Sequence, residues 1–160
     1  VSEWRIEPTD VAGPTAARLL REYTGEVASR YYGRPATDAE VDAAMAEDPD
    51  VGLRPPTGVF LVAADGTTPV GCVGVRELEP GLGELKRMYV VPRVRGRGVG
   101  ARLLAEAERH ARLLGNRAIR LDTRDDLVEA RALYAEHGYR EVPAHNDGPY
   151  ADHWFEKVLC

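Results

Sequence analysis

Three glycines in five residues, Gly96, Gly98 and Gly100, interrupt the basic run Arg93-Val-Arg-Gly-Arg-Gly-Val-Gly100, and that run sits between two periodic segments. Ahead of it, Glu84-Leu-Lys-Arg-Met-Tyr-Val-Val91 reads as a strand with charges interleaved. Behind it, Val99, Leu103, Leu104, Ala107, Ala111 and Leu114 form one apolar helical face, and Gly115 is placed to end the helix. Ala118-Ile-Arg-Leu-Asp122 is a further strand. Strand, helix and strand in this order make a right-handed crossover between two parallel strands the simplest topology. Glycines in the connecting loop let backbone N–H groups turn inward as a nest, and the helix N-terminus and Arg93, Arg95 and Arg97 add positive charge. The combination suits a phosphate or pyrophosphate.

The flanking segments decide what kind of sheet this crossover joins. Trp4-Arg-Ile-Glu7 reads as a short strand, and Pro14 opens a helix carrying Leu20, Tyr23, Val27 and Tyr31 and ending at Gly33. Thr37-Asp-Ala-Glu40 has the form of a capping box, for a helix running to about Glu47 before Pro49. Its acids, with Asp48 and Asp50 just beyond, suggest either a solvated face or an electronegative rim for a cationic substrate. Gly58–Ala64 and Pro69–Leu78 form an antiparallel hairpin about the turn Asp65–Thr68, and Pro80–Gly83 is the next turn. Gly71 and Gly74 either weaken the second strand or let something approach closely. Asp126-Leu-Val-Glu129 caps a helix through Leu133 and Tyr134 to His137-Gly138, and Tyr139–Val142 and His153–Leu159 are final strands. The expected architecture is a mixed α/β sheet in one domain spanning residues 1–160.

Charge narrows the ligand. The chain carries a formal net charge of −5, yet residues 84–120 hold ten Lys/Arg against three acids. A local basic stretch in an acidic protein fits a compact anionic ligand better than a nucleic acid. The longest apolar run, Val59–Ala64, is too short to span a membrane, and no secretory signal is expected at the N-terminus. Two cysteines, Cys72 and Cys160, are too few for a disulfide framework, so a reducing, cytoplasmic setting is expected. Cys72 reads as core. His137, His145 and His153 show no metal-ligand pairing, so no metal is expected. Tyr31, Tyr32, Trp154 and Phe155 read as core or substrate-wall residues.

Gly96-Arg-Gly98-Val-Gly-Ala101 formally fits a dinucleotide fingerprint, with Asp122 as the ribose acid. The preceding strand is too charged, however, and the 38 residues beyond Asp122 are too few for the remaining strands and helices of that fold. A P-loop is excluded, since no Gly-Lys-Ser/Thr follows. Val91-Pro-Arg-Val-Arg95-Gly-Arg-Gly98-Val-Gly100 instead resembles the R/Q-x-x-G-x-G/A signature of the GNAT superfamily of N-acyltransferases. Ala130-Arg-Ala-Leu-Tyr134-Ala-Glu-His-Gly138-Tyr139 is similar to that family's A-x-x-L-Y-x-x-x-G-F/Y segment, and the element order β-α-α-β-β-β-α-β-α-β-β fits as well.

The resemblance implies that acetyl-CoA lies along Glu84–Val91, with the pantetheine amides on backbone groups of Met88 and Val90. It implies that the pyrophosphate rests on Arg95, Gly96, Arg97, Gly98, Val99, Gly100 and Ala101. Tyr134 is then the acid for the departing thiolate, since a phenol keeps its proton at neutral pH. Glu84, directly or through water, is the base, provided burial raises its proton affinity. The Val90 N–H would meet the oxyanion. Where the family often has Asn, three residues before Ala130, this chain has Leu127, which passes a cofactor hydrogen bond to backbone or water. The expected activity is acetyl transfer to a small-molecule primary amine. The acidic 38–50 segment favours a small cationic one; amino acids, polyamines, aminoglycosides, protein N-termini and lysines all remain open. A non-catalytic acyl-CoA sensor is the alternative. No nucleic-acid or membrane partner is expected, and the last strand leaves room for a homodimer.

Overall fold

The computed structural model describes residues 4–159. Cys160 and the first three residues lie outside them. The elements run β1 (Arg5–Pro8), α1 (Pro14–Tyr32), α2 (Asp38–Glu47), β2 (Val59–Asp65), β3 (Thr68–Glu79), β4 (Leu82–Val90), α3 (Val99–Leu113), β5 (Ala118–Thr123), α4 (Val128–Glu136), β6 (Arg140–Val142) and β7 (His153–Val158). A short 3-10 turn, Pro92–Val94, joins β4 to the glycine loop. The seven strands form one mixed sheet in the order β1-β2-β3-β4-β5-β7-β6. Its only parallel pair among the described residues is β4 with β5, the expected crossover.

Local chemistry explains most boundaries. Pro14 opens α1, and Gly33 closes it in the left-handed conformation at φ 70°. Thr37 and Glu40 complete both halves of the capping box of α2. On α3, Val99, Leu103, Leu104, Ala107 and Ala111 are buried as one stripe against β2, β3 and β4. Gly71 belongs to the close-approach reading, not the weakening one. A side chain there would meet the Tyr89 carbonyl at 2.7 Å and the Leu103 side chain at 3.0 Å. Gly74 does the same for Leu53, at 2.7 Å.

Four expectations change. β4 starts at Leu82, not Glu84, because Gly81 at φ 85° tightens the preceding turn and frees Leu82 and Gly83 to pair on both sides. α4 has no Asp126 cap: the Asp126 carboxylate is held by Arg124 at 2.8 and 2.9 Å, and Leu127 occupies the cap position with no side-chain bond. The acids of 38–50 are largely neutralised within the chain. Asp38 and Asp42 meet Arg21, Glu40 meets Arg34, Asp48 meets Lys86 and Arg87, and Asp50 meets Arg87. Finally, β7 is not an edge. It lies between β5 and β6, with Trp154, Phe155 and Glu156 paired on both sides.

Candidate active site

The sheet is built from two halves that barely join. β4 pairs with β3 along its length, and β5 pairs with β7 from Ala118 to Thr123. Between β4 and β5 only Leu82, Gly83 and Glu84 are in register, with Ala118, Ile119 and Arg120. Beyond Glu84 the strands diverge. A bulge in β4 helps to turn it away: the register with β3 slips between Cys72 and Gly74, and Arg87 opposite takes φ 61°. A left-handed conformation costs a non-glycine residue about 1–2 kcal/mol, and ion pairs to Asp48 and Asp50 hold Arg87 in place. Burial opposes the Arg87 charge, but those carboxylates outweigh it and raise its proton affinity above the ordinary arginine range. Burial likewise opposes the Asp48 charge, and Arg87 with Lys86 outweighs it, keeping that carboxyl below its usual range.

The open edge of β4 has a definite polarity. The Val91 N–H donates to the Val70 carbonyl of β3 at 2.9 Å. Amides alternate sides along a strand, so Tyr89 also faces β3, while Met88 and Val90 face the gap. The Val90 carbonyl there accepts from Arg95 Nε at 2.9 Å. Arg95 also donates to both Glu26 oxygens, at 2.7 and 2.8 Å, and its guanidinium stacks over Tyr89. Its charge is therefore answered inside the chain, whereas Arg93 and Arg97 form no ion pair among the described residues.

At the end of this edge the chain enters α3. Gly96 and Gly98 take φ 80° and 87°, and a side chain built on either would meet nothing within 4 Å. Gly98 gives no side-chain cap, and the first intrahelical N–H bond is Arg102 to the Gly98 carbonyl. The amides of Val99, Gly100 and Ala101 are thus left without intrahelical acceptors at the positive end of a 15-residue helix. Gly100 is small for a different reason: a side chain there would reach Leu133 of α4 at 3.3 Å.

Glu84 and Tyr134 lie at the gap from opposite directions. Glu84 is the last β4 residue paired with β5 and is buried, with one oxygen on Arg76 Nε at 2.7 Å. Tyr134 descends from α4, its ring 5.7 Å from that of Tyr139 and 6.0 Å from that of Phe155. Burial pushes its phenol well above the ordinary range, with Tyr23 and Asp122 adding to the shift. Tyr23 comes from α1 over β4, packed on Tyr89, and Asp122 belongs to β5, so groups on both sides of the divergence act electrostatically on the Tyr134 phenol. Among the described residues, the sealed polar side-chain atoms without partners are Arg131 Nε and His145 Nε2. The Tyr134 hydroxyl, which also has no hydrogen bond, therefore keeps contact with accessible space.

Other sequence candidates fall elsewhere. Cys72 is fully buried, donates to the Arg87 carbonyl at 3.3 Å and has its thiol pushed up by burial, so it packs the core and shows no sign of activation. Asp122 accepts from Asn146 at 2.8 Å, and Asn146 in turn accepts from Trp154. His153 sits between Glu141 and Asp125, each at 2.8 Å. Three residues at the gap went unmarked by sequence. Arg87 shows a bulge only through its backbone angle. Tyr23 is spaced like an ordinary core residue, and Tyr150 lies in an irregular loop.

No described helix is long and apolar enough to cross a membrane. Residues 19–139 match the acetyltransferase (GNAT) family. An uncharacterized N-acetyltransferase of Schizosaccharomyces pombe is 35% identical over 133 residues, 82% of this chain and 78% of its own. An IAA acetyltransferase of Azospirillum brasilense is 40% identical over 90 residues, 56% of this chain and 59% of its own. The solved PaiA N-acetyltransferase of Thermoplasma acidophilum, in complex with coenzyme A, superposes with a TM-score of 0.75 at 19% identity, over 98% of this chain and 99% of that one. Its low identity speaks for the fold, while the matched family segment runs from α1 through β4, the glycine loop, β5 and α4 to Tyr139. A sheet split beside an uncapped glycine-loop helix, in a chain with this match, belongs to the acetyltransferase (GNAT) family.

Proposed function

We propose that this chain transfers the acetyl group of acetyl-CoA directly to a primary amine, in the cleft between β4 and β5. One observation carries the proposal: β4 leaves β5 after Glu84, so the backbone edge at Met88 and Val90 opens beside unpaired helix amides. The pantetheine amides suit the Met88 and Val90 edge. The pyrophosphate suits the nest of Gly96, Arg97 and Gly98 and the amides of Val99, Gly100 and Ala101, where free space around the glycines gives room for it. Charge-assisted hydrogen bonds of this kind contribute roughly 1.5–3 kcal/mol each. Arg95 serves this site by tying the loop to α1 through Glu26, leaving direct charge on the phosphates to Arg93 and Arg97.

Acetyl-CoA, as substrate, supplies the thioester. The chain supplies the proton handling. Glu84 takes a proton from the attacking ammonium directly or through water, using the oxygen not held by Arg76. The Val90 N–H faces the developing oxyanion. Tyr134 holds its proton firmly through burial and gives it to the departing thiolate.

The test is an amine-panel assay with acetyl-CoA, read by free thiol release, on wild type, Glu84→Gln and Tyr134→Phe. Turnover by the wild type, with loss in both variants, supports the assignment. Full turnover in a Glu84→Gln/Tyr134→Phe double variant overturns the residue roles. A wild type silent towards every amine, yet binding acetyl-CoA, points to a non-catalytic sensor.

A further inference from the structure

The acids of α2 and the segment after it are answered by arginines or lysine, with one exception. Glu47, the last residue of α2, forms no ion pair among the described residues. It accepts only a long hydrogen bond, 3.4 Å, from the Tyr150 hydroxyl. Tyr150 belongs to a cluster of three tyrosines that a folded chain would ordinarily cover. Tyr31, Tyr32 and Tyr150 are 57%, 46% and 48% exposed, and the Tyr31 ring meets each of the others edge-on at 5.4 Å. Edge-on packing leaves ring faces free, and those faces attract cations. Two of the three rings already hold a guanidinium: Arg34 over Tyr32 and Arg124 over Tyr31. The Glu47 charge is close enough to push the Tyr150 phenol above its ordinary range.

The cluster spans the cleft mouth. Asp48, the next residue after Glu47, grips Lys86 and Arg87 of β4. Arg124, which lies over Tyr31, directly follows β5. Tyr150 arrives from the loop between β6 and β7. The patch thus bridges the two strands whose divergence forms the proposed site, on the side of α1 and α2. The cations bordering that mouth are engaged: Arg76 with Glu84, Lys86 and Arg87 with Asp48, and Arg124 with Asp126. An anionic acceptor would have to displace a carboxylate, whereas a cationic one finds Glu47 unpaired.

We propose that Glu47, Tyr31, Tyr32 and Tyr150 form a subsite for a second cationic group on the acceptor, so that the preferred acceptors are aliphatic diamines and polyamines. The reacting amine enters the cleft towards Glu84 while the distal ammonium rests on the tyrosine faces beside Glu47. The identity of the reacting end rests on the transferase reading above; the subsite does not.

A homologous series of α,ω-diaminoalkanes is compared with monoamines of matched length and with an aminoalkylphosphonate, in wild type, Glu47→Gln and Tyr31→Leu. The wild type should favour diamines through a lower KM at similar kcat, with an optimum chain length. The diamine-to-monoamine ratio of kcat/KM should fall about five- to tenfold in Glu47→Gln. It should fall in Tyr31→Leu as well, and the Glu47 effect should shrink as salt rises. A ratio unchanged in both variants, or a wild-type preference for the monoamine or the phosphonate, overturns the proposal. Calorimetry separates its failure from that of the transferase reading. If no amine is acetylated, diamine binding to the wild type that weakens in Glu47→Gln still upholds the subsite, and absence of binding overturns it.

Discussion

From Leu82 to Glu84, β4 is bonded on both edges, to β3 and to β5; at Tyr89 and Val90 it is paired with β3 alone. The two stretches are neighbours in one nine-residue strand, and their side chains follow the difference. Leu82, Gly83, Glu84 and Leu85 are buried, while Lys86 and Arg87 are half-buried and reach the acids beyond α2, and Met88 packs half-buried against the core. A doubly bonded strand completes its hydrogen bonds within the sheet and contributes to stability. A singly bonded one keeps an unsatisfied row of amides, which a ligand with its own amides can complete. The transition from scaffold to site therefore falls within three residues, at the Arg87 bulge.

The comparison predicts that changes near the open half alter catalysis and binding, while changes in the closed half alter stability. The largest effect is expected from Tyr134→Phe. The ring and its contacts with Tyr139 and Phe155 remain, but the proton is gone. kcat should drop by up to about 10²–10⁴-fold, with little change in acetyl-CoA affinity. Stopped-flow thiol release against calorimetry tests this; a lowered melting temperature with untouched kcat would make Tyr134 a packing residue instead.

Leu85→Ala probes the buried stretch of β4 that continues directly from the doubly bonded residues. Leu85 is 4% exposed, so the truncation should cost about 2–5 kcal/mol in urea unfolding. Acetyl-CoA affinity of the folded fraction should hardly move. A large affinity loss without destabilisation would erase the distinction between the halves.

Next comes Gly98→Val at the end of the open edge. Its φ of 87° is hostile to a β-branched residue, and the added side chain would enter the space proposed for the pyrophosphate. Acetyl-CoA binding should weaken by at least about tenfold, measured by calorimetry. Unchanged affinity in a folded variant would move the phosphate elsewhere.

The smallest effect lies in the other half of the sheet. His153 of β7 bridges Glu141 of β6 and Asp125 of the loop before α4. Hydrogen bonds to Asp125 and then Glu141 raise its proton affinity above the ordinary histidine range. A pKa raised in the folded state stabilises the fold fully below the unfolded value, and that stabilisation disappears as pH rises through the folded value. The melting temperature of wild type should therefore exceed that of His153→Gln at about pH 5.5, and the gap should narrow by about pH 9.5. A gap that widens with pH would contradict the bridge.

Much of this is legible in the sequence alone. The helix boundaries at Pro14, Gly33 and Thr37 follow from local stereochemistry and capping, which need no distant partner. The crossover followed from element order, and the glycine loop from residues adjacent in the chain. The acidic segment stayed ambiguous because charge in a sequence carries no record of its partner: Asp48 and Asp50 lie some forty residues from the cations that neutralise them. Arg95 was legible as a charge near a phosphate loop but not as the partner of Glu26, 69 residues away.

Local elements, the nest-forming loop and the family to which they belong follow from neighbouring residues, since periodicity, φ preference and capping act over short stretches of chain. Only the tertiary structure decided which charges remain unanswered and where the sheet opens. The bulge at Arg87, just past the point where β4 leaves β5, is held by acids from beyond α2, and the tyrosine mouth depends on a loop after β6 meeting the end of α1. Such features arise from pairs of residues far apart in the chain. Their energies exist only once the fold has closed the distance, so no pattern of neighbouring residues announces them.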